Sequence, residues 1–165
     1  MTVKRMDNVG LVVEDLEAAI EFFAELGLEL EGRAPIEGAW ADSVTGLRDM
    51  RVEIAMLRTP DGYGRLELSR FLAPSVVADH RGAPVNALGY LRVVFAVDDI
   101  DATLARLGRR GAKLVGEVVQ YQDLYRLCYL RGPEGILVGL AQELGPRTAS
   151  AQAEAANVEI QTGLL

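Results

Sequence analysis

Few side chains in this sequence are equipped for chemistry. Among 165 residues there is one cysteine and one histidine. Cys128 cannot close an internal disulfide, and its setting in Leu127-Cys128-Tyr129 reads as that of a buried small hydrophobe rather than a catalytic thiol. His80, in Asp79-His80-Arg81, lies in a stretch bounded by prolines and reads as a solvated surface residue. The net charge is −7, with no clustered basic face, so phosphate backbones would repel the chain and a nucleic-acid role is excluded. A small-molecule ligand or a protein partner is left.

The elements that must carry such a site come from a duplication. Asn8-Val9-Gly10-Leu11-Val12-Val13-Glu14-Asp15-Leu16-Glu17-Ala18-Ala19 lines up with Arg92-Val93-Val94-Phe95-Ala96-Val97-Asp98-Asp99-Ile100-Asp101-Ala102-Thr103. Each copy is a β-rich apolar run followed by an acidic helix start. Asp15 and Asp99 suit the N-cap, where a short carboxylate accepts orphaned backbone N–H groups. Leu16, Ile20, Phe23 and Leu26 recur at helical spacing in the first copy, and Ile100, Leu104 and Leu107 in the second. Gly27 and Gly111 are placed to end the two helices. A strand follows each helix, Leu28 to Gly32 and Ala112 to Val118. A hairpin comes later: Val52 to Leu57 returns as Gly64 to Phe71, and Tyr125 to Leu130 returns as Ile136 to Ala141. The expected fold class is therefore α+β, built from two βαβββ modules.

The modules span about residues 6–72 and 90–144 of one domain, 1–145, with a Pro-containing linker at 73–89. Residues 33–50 exceed their counterpart and contain Trp40, which suggests a loop or short helix laid over the sheet mouth. Residues 146–165 are Ala-rich and polar and read as a C-terminal tail. The sequence starts directly into a strand pattern with no signal-peptide character, and no run approaches the roughly eighteen apolar residues of a membrane span, so a cytoplasmic location is expected.

The duplicated βαβββ, with the phrase Asn8-Val9-Gly10-Leu11-Val12-Val13-Glu14-Asp15-Leu16 and the turn Arg131-Gly132-Pro133-Glu134-Gly135-Ile136-Leu137-Val138, resembles the glyoxalase/bleomycin-resistance/dioxygenase (vicinal oxygen chelate) superfamily. The resemblance covers residues 6–144. It implies a cupped, partly open barrel around a pocket, often in a homodimer, and metal ligands on the first and last strands of each module. Carried over position by position, those places hold Asn8, Glu67, Arg92 and Gly139. Only Glu67 is a usual ligand, and a permanently protonated arginine is not one, so neither metal nor another cofactor is expected.

If these positions converge, Glu67 and Arg92 would face one another. One reading is a salt bridge filling a vacated site. The other is that Arg92 anchors an anionic or carbonyl-bearing ligand while Glu67 holds Arg92 or acts as a base, with Gly139 leaving room. Strand alternation places Arg65 and Ser69 with Glu67, Val94 and Ala96 with Arg92, and Gly10 and Val12 with Asn8. Trp40, Met50, Met56, Tyr121 and Tyr125 are the bulky candidates near the rim. The candidate ligand-binding set is Asn8, Trp40, Met56, Glu67, Arg92, Tyr125 and Gly139. The leading functional expectation is a metal-independent small-molecule binding or sequestering protein. The alternatives are a lyase, isomerase or dioxygenase-like enzyme of the same superfamily using Glu67 and Arg92 or an atypical metal site, and a structural or regulatory dimer with an occluded pocket.

Overall fold

The computed structural model describes residues 5–145, so the expected tail at 146–165 lies outside the described residues. The chain divides into two compact units. The first is the chain up to Gly82 together with Pro133–Gly135, and the second is Ala83–Gly132 with the chain from Ile136 onward.

In the first unit the order is β1 (Val9–Val12), α1 (Leu16–Leu26), β2 (Glu29–Glu37), α2 (Ala39–Thr45), β3 (Arg51–Arg58) and β4 (Arg65–Ala73). The four strands form one open sheet in the order β1-β4-β3-β2, with β1 parallel to β4 and the other pairs antiparallel. The second unit repeats the plan with β5 (Arg92–Ala96), α3 (Ile100–Gly108), β6 (Lys113–Leu114), β7 (Val119–Tyr121), β8 (Tyr125–Arg131) and β9 (Leu137–Glu143). Its strand order is β5-β9-β8-β6, with β7 also pairing β8 and β5 parallel to β9. The architecture is α+β, each sheet is one βαβββ module, and neither sheet closes on itself.

The local chemistry explains the helices. Asp15 and Asp99 are N-caps in extended backbone, each accepting from the backbone N–H three residues on, Ala18 and Ala102, at 2.9 Å. Gly27 stops α1 in the left-handed conformation at φ 116°, and Leu28 N–H returns to the Phe23 carbonyl at 2.9 Å. In the second module α3 ends earlier than expected, at Gly108, and Gly111 supplies positive φ (85°) only after a further turn. The apolar stripe of α1 lies against β3 and β4 and buries Ala19, Ile20, Phe22 and Phe23, with Ala55, Leu57, Leu66 and Leu68 on the sheet. In the second unit Ile100, Thr103 and Leu107 of α3 are buried, as are Cys128, Leu130, Val138 and Leu140 on the strands. Each fully buried aliphatic or Phe side chain contributes about 1.5–3 kcal/mol against its exposed state.

Two segments differ from the sequence expectation. β2 runs on to Glu37, because Pro35, Ile36 and Glu37 continue the ladder opposite Glu53, Val52 and Arg51; the extra segment then folds into α2. The strand expected over Ala112 to Val118 is short. β6 pairs only through Lys113 and Leu114, the chain bends over 115–118 around Gly116, and β7 resumes pairing with β8 at Val119.

The starts of α1 and α3 each receive a second acceptor from far along the chain. In the first unit the Glu134 carboxylate accepts from Glu14 N–H at 2.6 and 2.7 Å and from Asp15 N–H at 2.6 Å. In the second, Gln142 Oε1 accepts from Ile100 N–H at 3.0 Å. Arg81 donates to Glu14 and lies 3.8 Å from the Glu134 carboxylate. Glu134 holds φ 54° and Gly135 φ 74°; a Cβ at Gly135 would lie 2.7 Å from Arg81 Cα and closer still to its carbonyl oxygen.

Gly135→Ala is therefore expected to lower stability by about 2 kcal/mol or more, and Glu134→Ala by about 1 kcal/mol, both read from urea unfolding midpoints. A midpoint unchanged in Gly135→Ala would contradict the contact. Burial pushes the Cys128 thiol up to about 11 from an ordinary 9.0. Native protein should resist thiol reagents at pH 8 and react on unfolding. Because the folded state disfavours the thiolate, this group's stabilisation is complete below pH 9 and is lost as pH rises toward 11.

Candidate functional site

Residues directly opposite across neighbouring strands share a face. In the first unit this rule makes Gly10, Glu67, Met56 and Gly32 one row running across all four strands. The next row is Val12, Ser69, Ile54 and Ala34, followed by Phe71, Val52 and Ile36. Leu66, Leu68, Leu57 and Ala55 point the other way, toward α1, and so the Glu67 rows form the face that α1 leaves uncovered.

That face is graded in polarity. At one end α2 covers a cluster of Ala41, Met50 and Val52, with Ile36, Leu47, Ile54 and Phe71 packed on it. The Asp42 carboxylate holds the loop after α2 by accepting from Asp49 and Met50 N–H, both at 2.9 Å. Met50, 3% exposed, is thus core. Trp40, expected near the rim, is 61% exposed on α2, whereas its neighbour Ala41 is buried.

At the opposite end the pairing of β2 with β3 shifts register between Leu30 and Gly32, a bulge at Glu31. The Glu31 carboxylate lies 2.8 Å from Arg65 Nε and 3.7 Å from Arg58 Nε, while Arg58 also reaches Glu29 at 3.0 Å. The Arg65 hydrogen bond, opposed by desolvation and aided by the charges of Arg65 and Arg58, keeps the Glu31 carboxyl below its usual range. Two guanidinium groups are thereby matched by two carboxylates.

Between these ends stands Glu67. It accepts from Ser69 Oγ at 3.2 Å, and no other hydrogen bond or ion pair engages it among the described residues. A Cβ built at Gly10 or Gly32, the two ends of its row, would meet no atom within 4 Å. Neither glycine needs positive φ. The arrangement is a carboxylate and a thioether flanked by two open notches. Asn8 immediately precedes β1 and is exposed.

In the second unit the face away from α3 carries Arg92, Val94, Gly139, Tyr129 and Tyr125 by the same register argument. The Arg92 guanidinium carbon lies 5.2 Å from the Tyr129 ring centroid, a cation–π contact. The room expected beside Gly139 is taken: a Cβ there would lie 2.9 Å from Val94 Cγ2 and 3.2 Å from Tyr129 Cε1. Gly139 is glycine because the tyrosine ring leans over it. Arg131, opposite Leu137 as Arg92 is, donates to the Ala83 carbonyl and to Tyr90 Oη, with the Tyr90 ring 5.7 Å from its guanidinium carbon. It ties the linker to this sheet.

Glu67 belongs to the first unit and Arg92 to the second. Gly32, the Glu31 bulge and Arg131 escaped the sequence reading. Their only local signal is a Gly three residues into a strand and an Arg before a Gly-Pro turn.

The four positions that the family pattern gives to a metal do not fit one. Gly139 offers no donor, the Arg92 cation is stacked on a tyrosine, and Asn8 and Glu67 are left as one amide and one carboxylate. Among the described residues no three His, Cys, Asp or Glu side chains gather as a metal cluster.

Comparison with known proteins agrees with the fold. A crystal structure of a glyoxalase family protein from Bacillus cereus is 66% identical, with a TM-score of 0.85, over 88% of this chain and 97% of that one. A Bacillus subtilis (strain 168) protein, the uncharacterized YwbC, is 28% identical over 135 residues, covering 80% of this chain and 92% of its own. The fosfomycin resistance protein FosX from Listeria monocytogenes shares the fold at 14% identity and a TM-score of 0.59, over 92% of this chain and 99% of its own. The model of the Glyoxalase/Bleomycin resistance protein/Dioxygenase superfamily matches residues 7–129, and the chain belongs to that superfamily.

Proposed function

We propose that this chain is a small-molecule binding protein that works without a resident metal ion. The observation that carries the reading is the uncovered face of the first unit. There Glu67 stands between two open glycine positions, with ion pairs on one side and an apolar cluster on the other. A mostly small and apolar surface with a few placed polar groups is the usual make-up of an organic-ligand site.

The second unit supplies a cation over an aromatic ring. The Arg92 guanidinium carbon lies 5.2 Å from the Tyr129 ring centroid, and a guanidinium so placed suits a carboxylate or carbonyl oxygen. FosX of Listeria monocytogenes has been crystallised, as a mutant, with Mn(II) and a dihydroxypropylphosphonic acid, whereas the donor set of this chain is unsuited to such an ion. An enzyme of this superfamily that draws an electrophile from a metal therefore has no counterpart here in the residues that would hold it.

Protein purified without chelator should carry far less than one equivalent of transition metal, and added Zn, Ni, Mn or Fe should leave its melting temperature essentially unmoved. Stoichiometric metal with a large stabilisation would overturn the reading. In a thermal-shift screen of organic acids and their neutral analogues, Arg92→Ala should weaken the acids by about tenfold and spare the neutral compounds.

A further inference from the structure

The charges of the uncovered face in the first unit do not cancel. Arg58 and Arg65 are the cations nearest Glu67 along the strands, and the bulge at Glu31 together with Glu29 supplies one carboxylate for each. Glu67 is left with one hydroxyl donor, Ser69, and one net negative charge. A carboxylate in that position gains most from a cationic N–H donor, because a charge-assisted hydrogen bond is roughly twice as strong as a neutral one. From Glu67 the face runs through Met56, Ile54 and Ala34 toward the apolar cluster beneath α2. The surface is polar at a point and apolar along a slope.

From this we infer that the Glu67 row selects organic ammonium ions, with the ammonium on the Glu67 carboxylate and the hydrocarbon body along Met56 and Ile54. The inference rests on the small-molecule reading above and adds the ligand class and the positions that set it. Gly10 and Gly32 are the specificity-determining positions. Their missing side chains are what leaves the row open, since a Cβ at either meets nothing within 4 Å. Backbone conformation does not require glycine there, because both have ordinary φ. In a strand, glycine is otherwise a cost, which makes its presence at both ends of the row informative.

The test uses the whole chain with its methionine methyl groups labelled with carbon-13. Met56 reports from the row, and Met50, packed under α2, serves as the internal reference. Benzylammonium, benzyl alcohol and benzoate are titrated as probes of matched shape. Benzylammonium should shift the Met56 methyl saturably, with an affinity read at that methyl at least about tenfold tighter than that of the other two. Glu67→Gln should bring benzylammonium down to the affinity of benzyl alcohol. Gly32→Leu should abolish the Met56 shift without lowering the melting temperature, and it carries the test should Glu67→Gln fail to fold.

Benzyl alcohol or benzoate shifting the Met56 methyl at concentrations as low as benzylammonium does, or a Met56 methyl that no ammonium moves while other organic compounds still raise the melting temperature, would refute the ammonium site and leave the small-molecule reading standing. Stoichiometric resident metal would instead remove that reading itself.

Discussion

In each sheet one face is buried by a single helix, α1 or α3, and this constraint decides the rest. A strand points alternate side chains to opposite faces, so covering one face with α1 or α3 forces every second residue to be apolar. In β4 this gives Leu66 and Leu68, 3% and 0% exposed, pressed on α1, and it releases Glu67 and Ser69 to the other side. Residues on the uncovered face are under no equal demand to be apolar. Charge, glycine and thioether can therefore share one row across four strands while the hydrophobic core remains whole on the reverse.

The same constraint explains why the fold was legible and the site only partly so. The capping aspartates, the Leu/Ile/Phe stripes and the Gly27 terminator act within a few residues, and physics of that range is written in sequence. Lateral relations are not. Which residue of β2 stands opposite Met56 depends on the bulge at Glu31, so Gly32 could not be assigned to the Glu67 row from spacing alone. The Glu134 carboxylate caps a helix start 119 and 120 residues away in sequence, and its turn shows only as Gly-Pro-Glu-Gly. The interrupted strand after α3 was missed for a related reason. β6 and β7 pair opposite ends of β8, and the bend between them is set by that partner rather than by the residues bending.

Of the positions named from the family resemblance, Glu67, Arg92 and Gly139 lie on strands and Asn8 lies just before β1, and each of their environments had to come from the structure. Arg92 stands where a metal-binding member would place a ligand. A guanidinium there does more than fail to coordinate: stacked on Tyr129 it fixes a positive charge, which opposes a cation in the same surroundings. Glu67 stands at a position that the family pattern gives to a metal ligand, and among the described residues its carboxylate is held by one serine.

Glycine gives the sharpest case of one residue type with opposed physical meanings. Gly135 is required by a left-handed backbone and by the Arg81 main chain against it. Gly139 is required by the ring of Tyr129 and the methyl of Val94, and the space it leaves is already filled. Gly10 and Gly32 are required by no contact among the described residues: their backbone is ordinary and a Cβ at either meets nothing within 4 Å. A glycine that costs strand stability and relieves no contact among the described residues is the kind that a close-approaching partner would explain. Its two occurrences at the ends of the row holding Glu67 set that row apart among the glycines of both sheets, and the proposed ligand would account for them.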